Sequence, residues 1–346
     1  MQSGKIFVPV IVLYGTFAGA GPLETMVRAF EQRPQYVRPF ATTLGSLTNS
    51  GWYQSASVGK GFGFDVSLPV SILYLNTRDR EYTGSYTDPA CATCRSLEAS
   101  GTVVNCRDCI KCQDYTAPTI FGSIHQPDVV QYQWDPNNGT IVYRPTHDPD
   151  SLPFSDGIKE LSDLAGLPFL TLQASASLYY TRITLRYMGV PSVAGSGLTA
   201  NFPGIGLQHD FHHLLPPALP LSLSLAVNFT LTAISWTPGD DIENVTGTLK
   251  LTGLSNFVGI LGGFAPVKFL ELFLEAGWEH SFLKPSGEVT VEGESVALEK
   301  TLTGRNGFRA SLNIAFPIKY HPVVGGIAGS QFGYFINLIS FRSRKD

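Results

Sequence analysis

Charge is scarce in this chain. Of 346 residues only 15% are Asp, Glu, Lys or Arg, against about 25% in ordinary soluble domains. The net charge of −4 is small and dispersed, which leaves no basic surface for nucleic acid. Long apolar runs are missing as well. Beyond the N-terminus no stretch of 18 or more apolar residues occurs, so bilayer-crossing helices are excluded. The chain also lacks a G-x-S-x-G elbow, an H-E-x-x-H helix, a G-x-x-x-x-G-K-[ST] loop and a G-x-G-x-x-G turn. Ser, His and Asp are plentiful, yet nothing selects a triad, and the expectation is a protein that is not an enzyme.

What the chain has instead is alternation. In Leu219–Ala233 (LPLSLSLAVNFTLTA) every odd position is apolar and every even one is small or polar. On a strand this makes one greasy face and one polar face. Fifteen residues at about 3.3 Å each span roughly 50 Å, whereas strands of soluble domains stop near about six residues. Tilted by about 45°, such a strand crosses a bilayer core of about 30 Å. Trp236 follows, where an interfacial aromatic is expected.

The pattern repeats. Phe62, Phe64, Val66, Leu68, Val70, Ile72 and Tyr74 alternate with Asp65, Ser67, Pro69 and Ser71, and Pro69 implies a bulge. Leu170–Leu178 alternates likewise, and its phase flips at Tyr179–Tyr180, the mark of a tight turn or bulge. Thereafter Arg182, Thr184 and Arg186 share the polar face. Phe202–Phe211 is a weaker strand. Leu270–Trp278 presents Glu271, Glu275 and Glu279 opposite its apolar face, and Phe308–Ile318 presents Arg309, Ser311 and Asn313. Lys284–Gly304 reads as an exposed hairpin, and Val323–Ala328 and Gln331–Phe341 close the chain. A soluble sandwich would show these charges to bulk water; a barrel turns them inward. The fold class expected is all-β, a transmembrane antiparallel barrel of about 10–14 strands.

The ends and the interruption complete the layout. Residues 1–20 read as a signal peptide: Lys5, an apolar run from Ile6 to Phe17, then Ala18-Gly19-Ala20, with residues 21–346 as the mature barrel. Residues 22–34 form a short amphipathic helix able to plug the lumen, bounded by Pro22 and Pro34. From 76 to 163 the alternation dissolves into a long polar insertion. Loops beyond about 15 residues are usually functional or mobile, and long loops of outer-membrane barrels lie outside.

Three groups of side chains invite a chemical reading. Cys91, Cys94, Cys106, Cys109 and Cys112 have paired C-x-x-C spacing, which suits zinc in the cytosol but disulfides behind a signal peptide. Both stay open, so zinc is the one possible cofactor and otherwise none is expected. His209, His212 and His213 with Asp210 do not gather on one strand face, so a rim role is expected. Arg182, Arg186, Glu271, Glu275, Glu279 and Arg309 are expected to face the lumen, where buried charges must pair. They either set ion selectivity or pack the interior.

Four short segments carry a resemblance. Leu47–Tyr53 (LTNSGWY) with Gly61–Asp65 (GFGFD), Ala117–Gly122 (APTIFG) and Gly304–Ala310 (GRNGFRA) resemble segments of a family of uncharacterised bacterial outer-membrane β-barrels. That family is distantly similar to the long-chain fatty-acid transporter barrels, whose N-terminal hatch carries an Asn-Pro-Ala motif absent here. The resemblance implies a cleaved signal, a bacterial outer-membrane location and a barrel. The function expected is a channel or transporter for small or hydrophobic solutes. Alternatives are a filled structural or surface-interaction barrel, a membrane hydrolase, or a secreted soluble β-protein. Expected partners are outer-membrane lipid, a small hydrophobic solute and a surface partner for the 76–163 loop.

Overall fold

A computed structural model describes residues 34–75, 77–85, 114–122, 130–135, 140–145, 166–190, 198–216, 219–237, 245–291, 294–297, 301–318 and 321–344. The expected signal peptide, most of the 22–34 helix and all five cysteines lie outside them. The chain divides into two compact units, residues 77–163 and the remainder.

The larger unit opens with helix α1 (Pro34–Asn49) and strand β1 (Gly63–Tyr74). In the smaller unit, β2 (Glu81–Ser85) pairs β3 (Asp114–Pro118), and β4 (Val130–Asp135) pairs β5 (Thr140–Pro145). Back in the larger unit come β6 (Gly166–Leu170), β7 (Leu172–Leu178), β8 (Thr181–Val190), β9 (Leu198–Asp210) and β10 (Leu221–Trp236). Then follow β11 (Val245–Gly247), β12 (Leu249–Val267), β13 (Leu270–Ser286), β14 (Glu288–Val291) and β15 (Glu294–Ala297). The chain ends with β16 (Leu302–Thr303), β17 (Gly307–Ala315), β18 (Val323–Ala328) and β19 (Phe332–Arg344).

These strands close a cylinder. Each barrel strand pairs antiparallel with its neighbour in the chain, and β1 pairs with β19 from Gly63↔Arg344 to Tyr74↔Phe332. With β6 and β7 forming one strand broken at Thr171, the ring has ten: β1, β6/β7, β8, β9, β10, β12, β13, β17, β18 and β19. Ten is the low end of the expected range. The register of β1 shifts between Ser67 and Pro69, because Pro69 has no N–H to donate to the ladder. At the phase flip, Tyr179 and Tyr180 have φ of 46° and 64°. That is a two-residue turn whose twist matches the flanking strands. β14 and β15 form a hairpin that joins β11 in a separate three-stranded sheet.

The two ends of the cylinder differ. One end holds the start of β1, the finish of β19, the tight turns 179–180 and 268–269, and the connections between β9 and β10 and between β17 and β18. The other holds the longest connections, between β10 and β12 and between β13 and β17, with those between β8 and β9 and between β18 and β19, and the chain leaves β1 there.

The polarity of the wall is inverted relative to a soluble protein. Leu172, Ile183, Leu185, Ile205, Leu223, Leu225, Leu231, Val258, Ile260, Leu274 and Leu312 point outward and are 41–63% exposed. Their neighbours Gln173, Ser175, Thr184, Gln208, Ser224, Asn228, Thr230, Glu275, Ser311 and Asn313 are buried inside. Trp236 breaks the expectation of an interfacial aromatic: it is 1% exposed. The even positions of β10 point inward, and 236 keeps that phase to the end of the strand.

Candidate functional site

The interior is occupied by the chain segment that precedes β1. Helix α1 and the extended stretch after it, through Val58, run from the end that bears the long connections to the end where β1 begins. Thr42 Oγ1 accepts from the Arg305 N–H (2.9 Å) near the first end. Val58 N–H donates to Asp210 Oδ2 (2.7 Å) near the second. This plug lies C-terminal to the 22–34 segment assigned that role from sequence, and it starts at Pro34, a residue suited to a helix start.

The helix stops where its sequence loses helical character. Gly51 has φ +67°, a conformation glycine adopts without a Cβ penalty. The last carbonyls of an α-helix lack intrahelical partners and carry partial negative charge. Here they are met by cationic and polar donors. Trp52 Nε1 donates to Thr48 O (2.8 Å), and Thr230 Oγ1 to the same oxygen (3.3 Å). Arg186 Nη1 donates to Ser50 O (2.6 Å). Its guanidinium also lies 4.2 Å from the centre of the Trp52 ring, and Gln173 Oε1 accepts from its Nε (3.1 Å) and Nη2 (2.9 Å).

Below the helix the plug is fastened residue by residue. Gln173 donates to Trp52 O (2.9 Å), Gln208 to Ser55 O (2.9 Å), and Ser224 to Ala56 O. Ala56 N–H donates to Glu271 Oε1 (2.9 Å). Gln54 bonds Ser67 (2.5 Å) on one side and Ser340 (3.4 Å) on the other. Asn228 Nδ2 reaches Tyr53 Oη (3.5 Å). Trp52 also fits against Gly204 and Gly206, where any Cβ would come within 3 Å of the ring.

All six charged residues singled out in the sequence are buried inside the ring. Arg309 Nη2 lies 2.5 Å from Glu275 Oε1, and Nη1 lies 3.8 Å from Glu279 Oε2. The Arg309 guanidinium faces Phe257 at 4.8 Å. Glu279 Oε1 accepts from Ser46 (3.0 Å) and Ser330. Arg182 Nη1 donates to Gln208 (3.2 Å). Glu275, Glu279 and Arg309 thus form one group, while Arg186, Arg182 and Glu271 each hold a different level of the interior.

Sequence reasoning placed Asn313 inward but missed Gln173, Gln208 and Asp210 as plug holders and Asn337 as an inward polar group. For Gln173 the signal was present, on the face opposite the apolar one of Leu170–Leu178, whereas the weak alternation of Phe202–Phe211 hid Gln208 and Asp210. The histidines lie at the end where β1 begins. His209 Nδ1 pairs with Thr181 Oγ1 (2.9 Å), His212 Nδ1 with Leu221 O (2.7 Å), and His213 stacks on Tyr180 (4.7 Å). The strand stops at Asp210 and His212–Leu214 is a 3-10 turn, so the ligand geometry argued for a continuous strand does not apply.

Among curated proteins none matches the chain. Residues 24–282, which take in the plug and the wall as far as β13, match the family described as Family of unknown function (DUF6588), and the chain belongs to that family.

Proposed function

We propose that this protein is a bacterial outer-membrane channel for small polar solutes, closed in the present conformation by its own N-terminal plug. The observation that carries the reading is the inverted wall: leucine, isoleucine and valine outside, Ser, Thr, Gln, Asn, Glu and Arg inside. Leaving such an exterior in water would forfeit the burial of many large apolar side chains, about 1.5–3 kcal/mol each. Lipid is the partner that removes the cost. Aromatic side chains flank the aliphatic band outside, with Phe64, Tyr179, Phe269 and Phe341 toward one end and Tyr74, Tyr187 and Phe332 toward the other. Such girdles mark the two interfaces of membrane barrels. The end that holds the start of β1 and the finish of β19 would face the periplasm, and the end with the longest connections would face outward.

The plug supports transport rather than a permanent filling. Below α1, apart from the packing of Trp52, its contacts with the wall are hydrogen bonds such as those accepted by its carbonyls from Gln173 and Gln208 or donated by its N–H groups to Glu271 and Asp210. Water replaces such bonds at a net cost of about 1 kcal/mol each, or about 1.5–3 kcal/mol at the carboxylates, and the wall left behind would be wettable. That favours polar solutes over the hydrophobic ones of the fatty-acid transporter barrels. The filled-barrel alternative draws on one observation, the complete burial of Trp52 against Gly204 and Gly206. Single-channel recording decides between them. Wild-type protein in a planar bilayer should show rare openings, and deletion of residues 34–57 should give large, steady conductance. A deletion variant that folds and stays silent would refute the channel.

A further inference from the structure

The plug is not held equally on all sides. Its side-chain hydrogen bonds come from β1, β7, β8, β9, β10, β12, β13 and β19, and among the described residues none comes from β17 or β18. Around that arc buried polar atoms stand without hydrogen-bond partners: Glu279 Oε2, Arg309 Nε and Nη1, Asn313 Oδ1, and both amide atoms of Asn337. Thr43 Oγ1 and Asn49 Oδ1 on the plug are in the same condition. The wall residues among them are at most 3% exposed. Leaving a buried polar group unmatched costs about 1–3 kcal/mol, so this side of the interior gains most from hydration when the plug shifts.

The unmatched groups are aligned. Arg309 and Asn313 lie two inward positions apart on β17. Asn313 is opposite Gly325 on β18, and Asn337 is opposite Val323, the next inward residue of β18. Glu275, opposite Ser311, and Glu279, opposite Gly307, continue the row on β13. The row therefore climbs the wall from Asn337 through Asn313 and Arg309 to Glu279. Gly325 has no side chain, and a Cβ there would strike Asn313 Oδ1 and Phe335; the row's other neighbours are buried aromatic rings, Phe273 opposite Asn313, Phe335 opposite Gly325 and Phe257 facing Arg309. The row's charge is negative on balance, two carboxylates against one guanidinium.

We infer that the plug parts from the barrel along its β17–β18 face, between the bonds that Ser46 makes to Glu279 and Gln54 makes to Ser340, and that the path so opened carries monovalent cations past Arg309, Asn313 and Asn337. The inference rests on the channel reading above. Carbonyl and carboxylate oxygens along the row replace part of a cation's hydration shell, while the β7–β10 side stays bonded to the plug and anchors it.

Reversal potentials in a KCl gradient test it, with Asn313→Asp, Asn313→Lys, Asn337→Asp and Asn337→Lys set against Thr232→Asp and Thr232→Lys, an inward position of β10. The Asp forms at 313 and 337 should raise cation over anion permeability and the Lys forms lower it, each by roughly fivefold, with the Thr232 pair near wild type. Asn337 serves as the second position should a charge at 313 prevent folding, which a heat-modifiability gel reports. Equal shifts at Thr232, or shifts at Thr232 alone, overturn the path while the channel stands. Anion preference in the wild type overturns the cation assignment. Silence of the wild type and of the 34–57 deletion defeats the channel reading and the path with it.

Discussion

Arg186 and Trp52 are stacked at the centre of the barrel, the guanidinium carbon 4.2 Å from the ring centre, with the same arginine donating to Ser50 O at 2.6 Å. One side chain from β8 thus holds both the end of α1 and the aromatic that follows it. Arg186→Met keeps most of the volume but removes the charge, the π contact and every donated bond. The seated plug should lose about 2–4 kcal/mol. Spontaneous openings in a planar bilayer should rise by two orders of magnitude or so, and an unchanged open probability would show that the pair does not hold the plug.

Glu275 and Arg309 offer a thermodynamic cycle. Arg309→Met leaves two buried carboxylates facing each other and should cost about 3–5 kcal/mol. Glu275→Gln should cost less, because Glu279 remains near the guanidinium at 3.8 Å. The double variant should recover part of the Arg309→Met loss. Heat-modifiability midpoints give all three values, and strict additivity would exclude coupling. In conducting preparations, Glu271→Gln and Glu275→Gln should also reduce cation preference, since each removes one interior negative charge.

Adjacent glycines on β12 separate the two faces of the wall. A Cβ on Gly263 would meet Ser222 Oγ at 2.3 Å, Ala56 Cβ at 2.8 Å and Glu271 Oε1 at 3.1 Å, whereas one on Gly262 meets nothing within 4 Å. Gly263→Val should displace the plug at Ala56 and lower the heat-modifiability midpoint. Gly262→Leu should fold into lipid vesicles with wild-type yield. The reverse ranking would mean that the faces of β12 are assigned backwards.

Charge on the outer band is the direct measure of the lipid assignment. Leu225→Arg and Ile260→Arg, opposite one another on β10 and β12, should each destabilise the inserted barrel by about 2–4 kcal/mol near the bilayer midplane. Urea titration of folding into vesicles reads the loss. Wild-type midpoints for both would show that water, not hydrocarbon, touches this surface.

Period-two alternation made the wall readable because a strand wrapped by two different media writes both into every pair of residues. Leu270–Trp278 and Phe308–Ile314 were assigned to their faces from pattern alone, and Pro69 and Tyr179–Tyr180 located a bulge and a turn from backbone chemistry. The plug was harder. Apart from Arg38, residues Tyr36–Asn49 are buried by a polar enclosure, so α1 carries Thr42, Thr43, Ser46 and Thr48 where a helix on an ordinary core shows an apolar stripe. Trp236 misled for a related reason: tryptophan suits a membrane interface, but strand phase overrides residue preference.

The closing seam joins the first barrel strand to the last, around a segment that sits immediately upstream of that first strand. Tethered at the mouth where β1 begins, this segment can be gathered inward while β1 and β19 are still apart. Such a pairing, between opposite ends of the sequence, is the slowest kind to form unaided, and Gln54, bonded to Ser67 of β1 and Ser340 of β19, ties the occupant to both edges of the seam.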